Sequence, residues 1–362
     1  MSAERDLRLL PKAHLHIHLE GAMRPGTLSD LCRKYGIERP VDTRGQQFNN
    51  FSGFNAVYRS ACDCIQTKED LARVIQEVAE DAASEGVIWL EPAFDADRYS
   101  IMRDITSHKL FTSAEEGWEF ALSQAEQVSK QTGVGIGYIS AIDRTQPIER
   151  GLQRAKLTAK IVKAKKHLIR VTTDYFDDIY PGIIGLGLHG NEEGFPPELF
   201  TDAFRIGLDG TGLLSTPHAG EIAPSPSKGA ASVATALDLL KADRIQHGVL
   251  AIEDPNLVSK LAQTNVCLDV CPSSNIQRSV FRDIGNHPLP ELIKAGVKCT
   301  IGSDDPLLFG PNLIDEYQVC RHNMGLDDST LAQLAKNSFK YSGAPLEIKN
   351  SGLRQIEKWL SS

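Results

Sequence analysis

The sequence predicts an α/β fold, a (β/α)8 barrel with extra helices, and three observations carry that prediction. From residue 12 onward, short apolar runs of strand character alternate eight times with helical segments. The reactive residue types His and Asp recur where those strands end, as a barrel with one catalytic mouth requires. No Gly-x-Gly-x-x-Gly follows the first strand, where a nucleotide-binding doubly wound sheet usually carries one.

The first strand, 12–19, holds His14, His16 and His18 at alternate positions with Leu15, Ile17 and Leu19 between them. Alternation places the three imidazoles on one face of a strand, whereas a helix would spread them around its circumference. A helix follows from about Gly26 to Lys34. Residues 36–60 read as a loop with helical turns, whose aromatics Phe48, Phe51, Phe54 and Tyr58 suit either core or one wall of a pocket. Lys68 to Gly86 is an amphipathic helix with Leu71, Val74, Ile75, Val78 and Ala79 on one face. Val87 to Phe94 is the second strand. The polar connection 95–112 is long for a compact domain, which marks it as a candidate active-site loop. Ser113 opens a helix to Thr132 as its N-cap, with Glu115 and Glu116 in the first turn.

The remaining strands are expected at 133–142, 183–189, 213–217, 244–247, 266–270 and 298–302. The helices between them are expected at 147–167, 196–209, 228–240, 255–263 and 289–295, with further helices to the C-terminus. No linker rich in Pro, Gly or Ser interrupts the chain, so residues 1–362 read as a single domain.

A net charge of -8, with the two signs mixed and no basic run interleaved with aromatics, argues against nucleic acid as a partner. No segment has the length of a membrane span, and the N-terminus lacks the apolar core of a signal peptide. The seven cysteines are scattered; Cys62 and Cys64 are one residue apart, Cys267 and Cys271 lie in or near apolar runs, and none has structural-zinc spacing. A soluble, cytoplasmic protein with reduced cysteines is expected. The sequence carries no signal for an oligomeric state.

His16 and His18 close strand one, His218 closes strand five, His247 closes strand six, and Asp304 and Asp305 close strand eight. Any one of these has an ordinary structural explanation, but all would converge on one mouth. Three imidazoles, His16, His18 and His218, with the Asp304 carboxylate suit a single Zn²⁺ that keeps a position open for water. Such a cation lowers the pKa of water from 15.7 to about 7. Two-metal barrels of related layout bridge their ions with a lysine at the end of strand four; here that strand ends Leu188-His189-Gly190, so one metal is expected. His247 is then free to orient the water and stabilise charge on it. Glu221, three residues after a ligand, can face a substrate and give a proton to a ring nitrogen.

The runs His16-Ile17-His18-Leu19-Glu20-Gly21, Pro217-His218-Ala219-Gly220-Glu221, Ile245-Gln246-His247-Gly248, Cys271-Pro272-Ser273-Ser274-Asn275 and Ser303-Asp304-Asp305-Pro306 occur in that order. Together they resemble the adenosine deaminase family of the amidohydrolase superfamily, from about Lys12 to past Leu308. His287-Pro288-Leu289-Pro290 and Ala295-Gly296-Val297 are similar to the family as well. The resemblance implies a barrel with one zinc held by His16, His18, His218 and Asp304. It also implies that Glu221 protonates a purine N1, that His247 assists the water and that Asp305 hydrogen-bonds N7. The backbone N–H of Gly190 would meet N3. Glu20 takes a place often filled by an Asp that binds a ribose hydroxyl, and His18 would border the substrate.

Two regions depart from the family's common form. Strand four continues His189-Gly190-Asn191-Glu192-Glu193-Gly194 in place of Ala-Gly-Asp-Glu, and the region 88–100, with Trp89, Glu91, Pro92, Ala93, Phe94 and Asp95, is also unusual. Both are expected to line the mouth, with His189 as a pocket wall. The expected activity is zinc-dependent hydrolytic deamination of a 6-aminopurine, adenosine or 2′-deoxyadenosine first. Adenine, or a larger nucleoside such as 6-aminodeoxyfutalosine, is the alternative. A non-catalytic purine-binding relative would show a broken metal or acid set. A different amidohydrolase reaction would call for a second metal and a bridging lysine. Neither pattern is present.

Overall fold

The computed structural model describes residues 4–48, 51–100, 109–172, 177–222 and 228–362. Eleven strands are numbered in chain order: β1 Lys12–His18, β2 Val87–Phe94, β3 Gly135–Ile136, β4 Tyr138–Asp143, β5 Leu168–Thr172, β6 Asp177–Pro181, β7 Ile183–His189, β8 Leu214–Ala219, β9 Arg244–His247, β10 Cys267–Val270 and β11 Lys298–Ile301. The sheet runs β1-β2-β4-β7-β8-β9-β10-β11, and every pairing in it is parallel. Between β11 and β1 the barrel closes through the residue just past β11: Asp304 N donates to His16 O (3.1 Å) and His18 N donates to Asp304 O (3.0 Å). Eight parallel strands with surrounding helices make the (β/α)8 barrel that the alternation predicts.

All seven residues of β1 are buried. Its histidines reach across to other strands: His16 Nδ1 lies 2.7 Å from Asp269 O on β10, and His14 Nε2 accepts from Ser303 N (3.1 Å) just past β11. Burial, with His16 beside it, pushes His14 down to about 3, so this ring is neutral and structural. Near the start of β1, Lys12 Nζ donates to Leu7 O and Leu10 O, both at 2.6 Å. Deeper in the barrel, Arg244 bridges Glu91 Oε2 (2.6 Å) and Asp269 Oδ2 (2.9 Å), with all three side chains fully buried. Charges so deep are kept only when paired.

The helices follow local sequence rules. Lys68–Ser84 starts in a capping box, Thr67 Oγ1 accepting from Asp70 N and Asp70 Oδ2 from Thr67 N. Ser113 caps Ala114–Thr132 as its position suggested. Three readings change. Residues 51–63, expected as a loop with turns, form one helix, Phe51–Asp63. The strand expected at 133–142 is broken into β3 and β4. The chain after Lys163 forms the antiparallel hairpin β5–β6, outside the barrel sheet, which periodicity did not reveal.

Candidate active site

The strand ends deliver their side chains to one cavity at the mouth of the barrel. His18, Gly190, His218, Glu221, His247, Asp304 and Asp305 all line it, as expected, together with His189. His16 lies directly behind, fully buried. Two of these residues, His247 (φ +62°) and Asp304 (φ +59°), hold left-handed backbone conformations that cost a side chain energy. Strain of that kind on two converging residues marks a functional site.

His16, His18, His218 and Asp304 each offer a ligand atom, and these atoms lie within 4.8 Å of one another. Asp304 Oδ1 stands 3.5 Å from His16 Nε2 and 3.2 Å from His18 Nε2. The hydrogen bond of His16 Nδ1 to Asp269 O places the ring proton on Nδ1, so Nε2 carries its lone pair into the cluster. That Nε2 is buried and has no hydrogen-bond partner. Asp304 Oδ2 accepts from Ser274 Oγ (2.7 Å), which fixes the carboxylate. A lone pair buried and unsatisfied among three further donors fits a divalent cation.

Glu221 Oε1 lies 3.6 Å from His247 Nε2 and 3.4 Å from Arg278 Nε. Burial raises the Glu221 carboxyl above its ordinary range, and Arg278 opposes that rise. The turn that carries it is held by a second carboxylate. Glu192 accepts from Gly220 N (2.8 Å), Glu221 N (3.1 Å) and Ile222 N (3.2 Å), and from the Ser232 hydroxyl. Gly220 turns there at φ +65°, and a Cβ would stand 2.3 Å from Val233 Cγ2. Burial also raises the Asp305 carboxyl, against the pull of His18, and its Oδ1 has no hydrogen-bond partner.

Glu20 sits apart from this arrangement. It is buried and does not border the cavity; Tyr58 OH donates to its Oε2 (3.2 Å) and Tyr99 OH to its Oε1 (3.1 Å). Tyr58 and Arg98 line the cavity in its place, with Arg98 Nε 3.9 Å from Glu20 Oε1.

The expectation that the region 88–100 lines the mouth holds at Arg98, which borders the cavity, and is corrected for the stretch from Trp89 to Asp95. Trp89 Nε1 donates to Glu91 Oε1 (2.7 Å) inside the barrel, and Asp95 pairs with Arg154. From the segment after β2, Arg98 reaches the cavity and Tyr99 reaches Glu20. Of the 95–112 connection, residues 101–108 lie outside the described residues. Phe54 and Tyr58 form a wall of the cavity, and Phe48 packs on Phe54 with centroids 5.5 Å apart. The Phe51 side chain lies outside the described residues. Sequence reasoning missed Arg98, Arg278, Asp143 and Thr145 as lining residues and Glu192 as a clamp. An isolated Arg or Glu carries no spacing signal.

A sequence model of the family described as "Adenosine deaminase" matches residues 11–359. This chain belongs to the adenosine deaminase family. A putative adenosine/adenine deaminase of Streptomyces coelicolor is 35% identical over 99% of this chain and 99% of its own length. An aminodeoxyfutalosine deaminase of Acidothermus cellulolyticus is 31% identical over 87% of this chain and 83% of its own. The crystal structure of an adenine deaminase from Arthrobacter aurescens superposes with a TM-score of 0.82 at 26% identity, covering 97% of this chain and 99% of that one. The chain is a hydrolytic deaminase of the adenine/adenosine type, in a family of metal-dependent enzymes. Among the described residues of this deaminase, no helix is long and apolar enough to cross a membrane.

Proposed function

We propose that this deaminase hydrolyses the exocyclic C6–N bond of a 6-aminopurine, adenosine or 2′-deoxyadenosine first, giving the 6-oxo purine and ammonia. The observation that carries the reading is the shared cavity. Four candidate ligand atoms within 4.8 Å of one another stand beside Glu221, which is 3.6 Å from His247, and beside the unsatisfied Oδ1 of Asp305. His16, His18, His218 and Asp304 would hold one Zn²⁺, which three imidazoles and one carboxylate suit. When bound, such a cation supplies Lewis acidity, bringing the ionisation of water from 15.7 to about 7.

The chain's own residues do the rest. Glu221, whose carboxyl burial raises above its ordinary range, gives its proton to N1 as oxygen adds at C6. His247, which like Arg278 faces Glu221 Oε1, stabilises charge developing on that oxygen. N7 is an acceptor, so Asp305 meets it as a protonated donor, in keeping with its burial. The Gly190 N–H meets N3, and His18 and His189 border the ring. Water is consumed: N1 keeps the proton from Glu221, the proton of the added hydroxyl passes to the departing amine, the C6–N bond breaks and ammonia leaves, and the other water proton restores Glu221. We read residues 1–362 as one domain of this kind, acting on a small purine.

A second reading, free adenine, is favoured by one specific observation: both Glu20 oxygens are already engaged by tyrosine hydroxyls, which leaves Glu20 poorly placed to take a ribose hydroxyl. Steady-state kinetics of the zinc-loaded protein on adenosine, 2′-deoxyadenosine and adenine separates them. A kcat/KM higher for the nucleosides supports the first reading, and the reverse order supports the second. No turnover of any 6-aminopurine overturns both.

A further inference from the structure

We propose that Asn275 and His287 are positioning residues that lock His247 in the tautomer with its proton on Nε2, so that His247 meets the reacting atoms as a hydrogen-bond donor. The inference rests on the deaminase reading above. It begins at a group whose role is fixed: a backbone N–H can only donate. Leu289 N donates to His287 Nδ1 (3.2 Å), so that nitrogen is an acceptor. Burial pushes His287 down to about 3, which keeps the ring neutral. Its one proton therefore sits on Nε2, which lies 3.1 Å from Asn275 Oδ1 and donates to it.

The Asn275 amide is thereby oriented. Its Nδ2 faces His247 Nδ1 at 3.2 Å and donates. His247 Nδ1 accepts and so carries a lone pair, which leaves Nε2 as the ring's protonated nitrogen. The inverted amide would need His287 to accept at both nitrogens, which a neutral imidazole does not do. One arrangement satisfies all four groups. All three side chains are buried: His247 and Asn275 fully, His287 at 4% exposure.

The far end of this relay is open. His247 Nε2 is buried, lies 3.6 Å from Glu221 Oε1 and 3.7 Å from Asp304 Oδ2, and makes no hydrogen bond among the described residues. A donor held there stabilises negative charge on the oxygen adding at C6, whereas a lone pair would repel it. The His287-Pro288-Leu289-Pro290 run thus acts in the chemistry without touching substrate: it supplies the N–H that sets the relay.

The test is ¹⁵N NMR of histidine-labelled, Zn²⁺-loaded protein, with kinetics on whichever 6-aminopurine is turned over. The wild type is expected to show His247 protonated at Nε2 and unprotonated at Nδ1. In Asn275→Asp the carboxylate accepts from both rings, so the His247 tautomer inverts. Its kcat then falls on the order of 10²–10⁴-fold, with KM little changed. His287→Gln keeps an N–H for Asn275 Oδ1 and retains most of kcat, whereas His287→Ala loses it. A wild-type His247 protonated at Nδ1, or a full kcat in Asn275→Asp, overturns the inference. If Asn275→Asp does not fold, the wild-type spectrum and the His287 pair decide. Absence of any purine turnover would sink the deaminase reading and leave the spectrum to judge the tautomer alone.

Discussion

Gly21 exists to make room for Asp305. A Cβ built on Gly21 would stand 1.6 Å from Asp305 Oδ1 and 2.8 Å from its Cβ. Gly21 lies within the helical turn Glu20–Ala22, so this glycine is required by space rather than by an unusual φ. The two residues stand on opposite sides of the barrel's seam, where Asp304 N meets His16 O and closes the sheet.

Gly21→Ala is therefore expected to push the Asp305 carboxyl out of place. The three atoms nearest the new methyl all belong to Asp305 and none to a candidate metal ligand, so the cation should be kept. We expect kcat/KM to fall on the order of 10²-fold with metal content unchanged, measured by kinetics and by metal analysis of the same sample. An unchanged kcat/KM would remove Asp305 from the proposed recognition of the purine.

The Glu192 clamp makes a separate prediction. In Glu192→Gln an amide NH₂ must face a backbone N–H whichever way it turns, because each carboxylate oxygen now accepts from at least one backbone N–H. The turn carrying Glu221 should loosen, and kcat should fall on the order of 10²-fold while the protein still binds its metal. Amide hydrogen exchange at residues 220–222 gives a direct check. Faster exchange with unchanged kcat would show that the clamp serves the fold and not the reaction.

Much of this architecture was legible in the sequence because barrels write their chemistry at strand ends. His16, His18, His218, His247 and Asp304 could be found from strand alternation and position alone, and they converge as that logic requires. What stayed hidden depends on contacts between distant segments. Nothing near Glu20 in sequence announces that Tyr58 and Tyr99 occupy both its oxygens. Arg278 follows a recognisable run, but an isolated cation gives no hint that it will stand 3.4 Å from Glu221. The hairpin β5–β6 was missed because it adds to the outside of the barrel, where no inward-facing pattern is imposed. Trp89 and Glu91 were misplaced because a strand's alternation does not say which end of the barrel a side chain serves.

Stability should carry a pH signature from Glu85, beneath β1 and remote from the cavity. Burial raises its carboxyl from 4.5 to about 7, against the hydrogen bond from Ile314 N and the charge of Lys12. The native state therefore keeps a proton that the unfolded chain releases near 4.5. The stability this contributes is present below 4.5 and is lost as pH rises through about 7. Glu85→Gln should match the wild type near pH 4.5 and exceed it at pH 8.5 by up to about 3 kcal/mol. Parallel denaturation curves at the two pH values check this, and a constant difference across them would contradict it.

Glu221→Gln isolates the proton step. The amide keeps the size of the side chain and contributes no candidate ligand from the four-residue cluster, so metal binding should persist while turnover is nearly abolished. Retention of most activity would exclude Glu221 as the donor to N1.

The central claim is that one metal-dependent site deaminates a 6-aminopurine by adding water at C6. The most direct measurement is ammonia release and loss of the 6-aminopurine absorbance, with the protein stripped of metal and then titrated with Zn²⁺, on adenosine, 2′-deoxyadenosine, adenine and 6-aminodeoxyfutalosine. The account predicts no turnover without metal and activity that saturates at one Zn²⁺ per chain, with ammonia and 6-oxo purine formed in equal amounts. Full activity in the stripped protein, or no ammonia from any of these purines at saturating Zn²⁺, would contradict it.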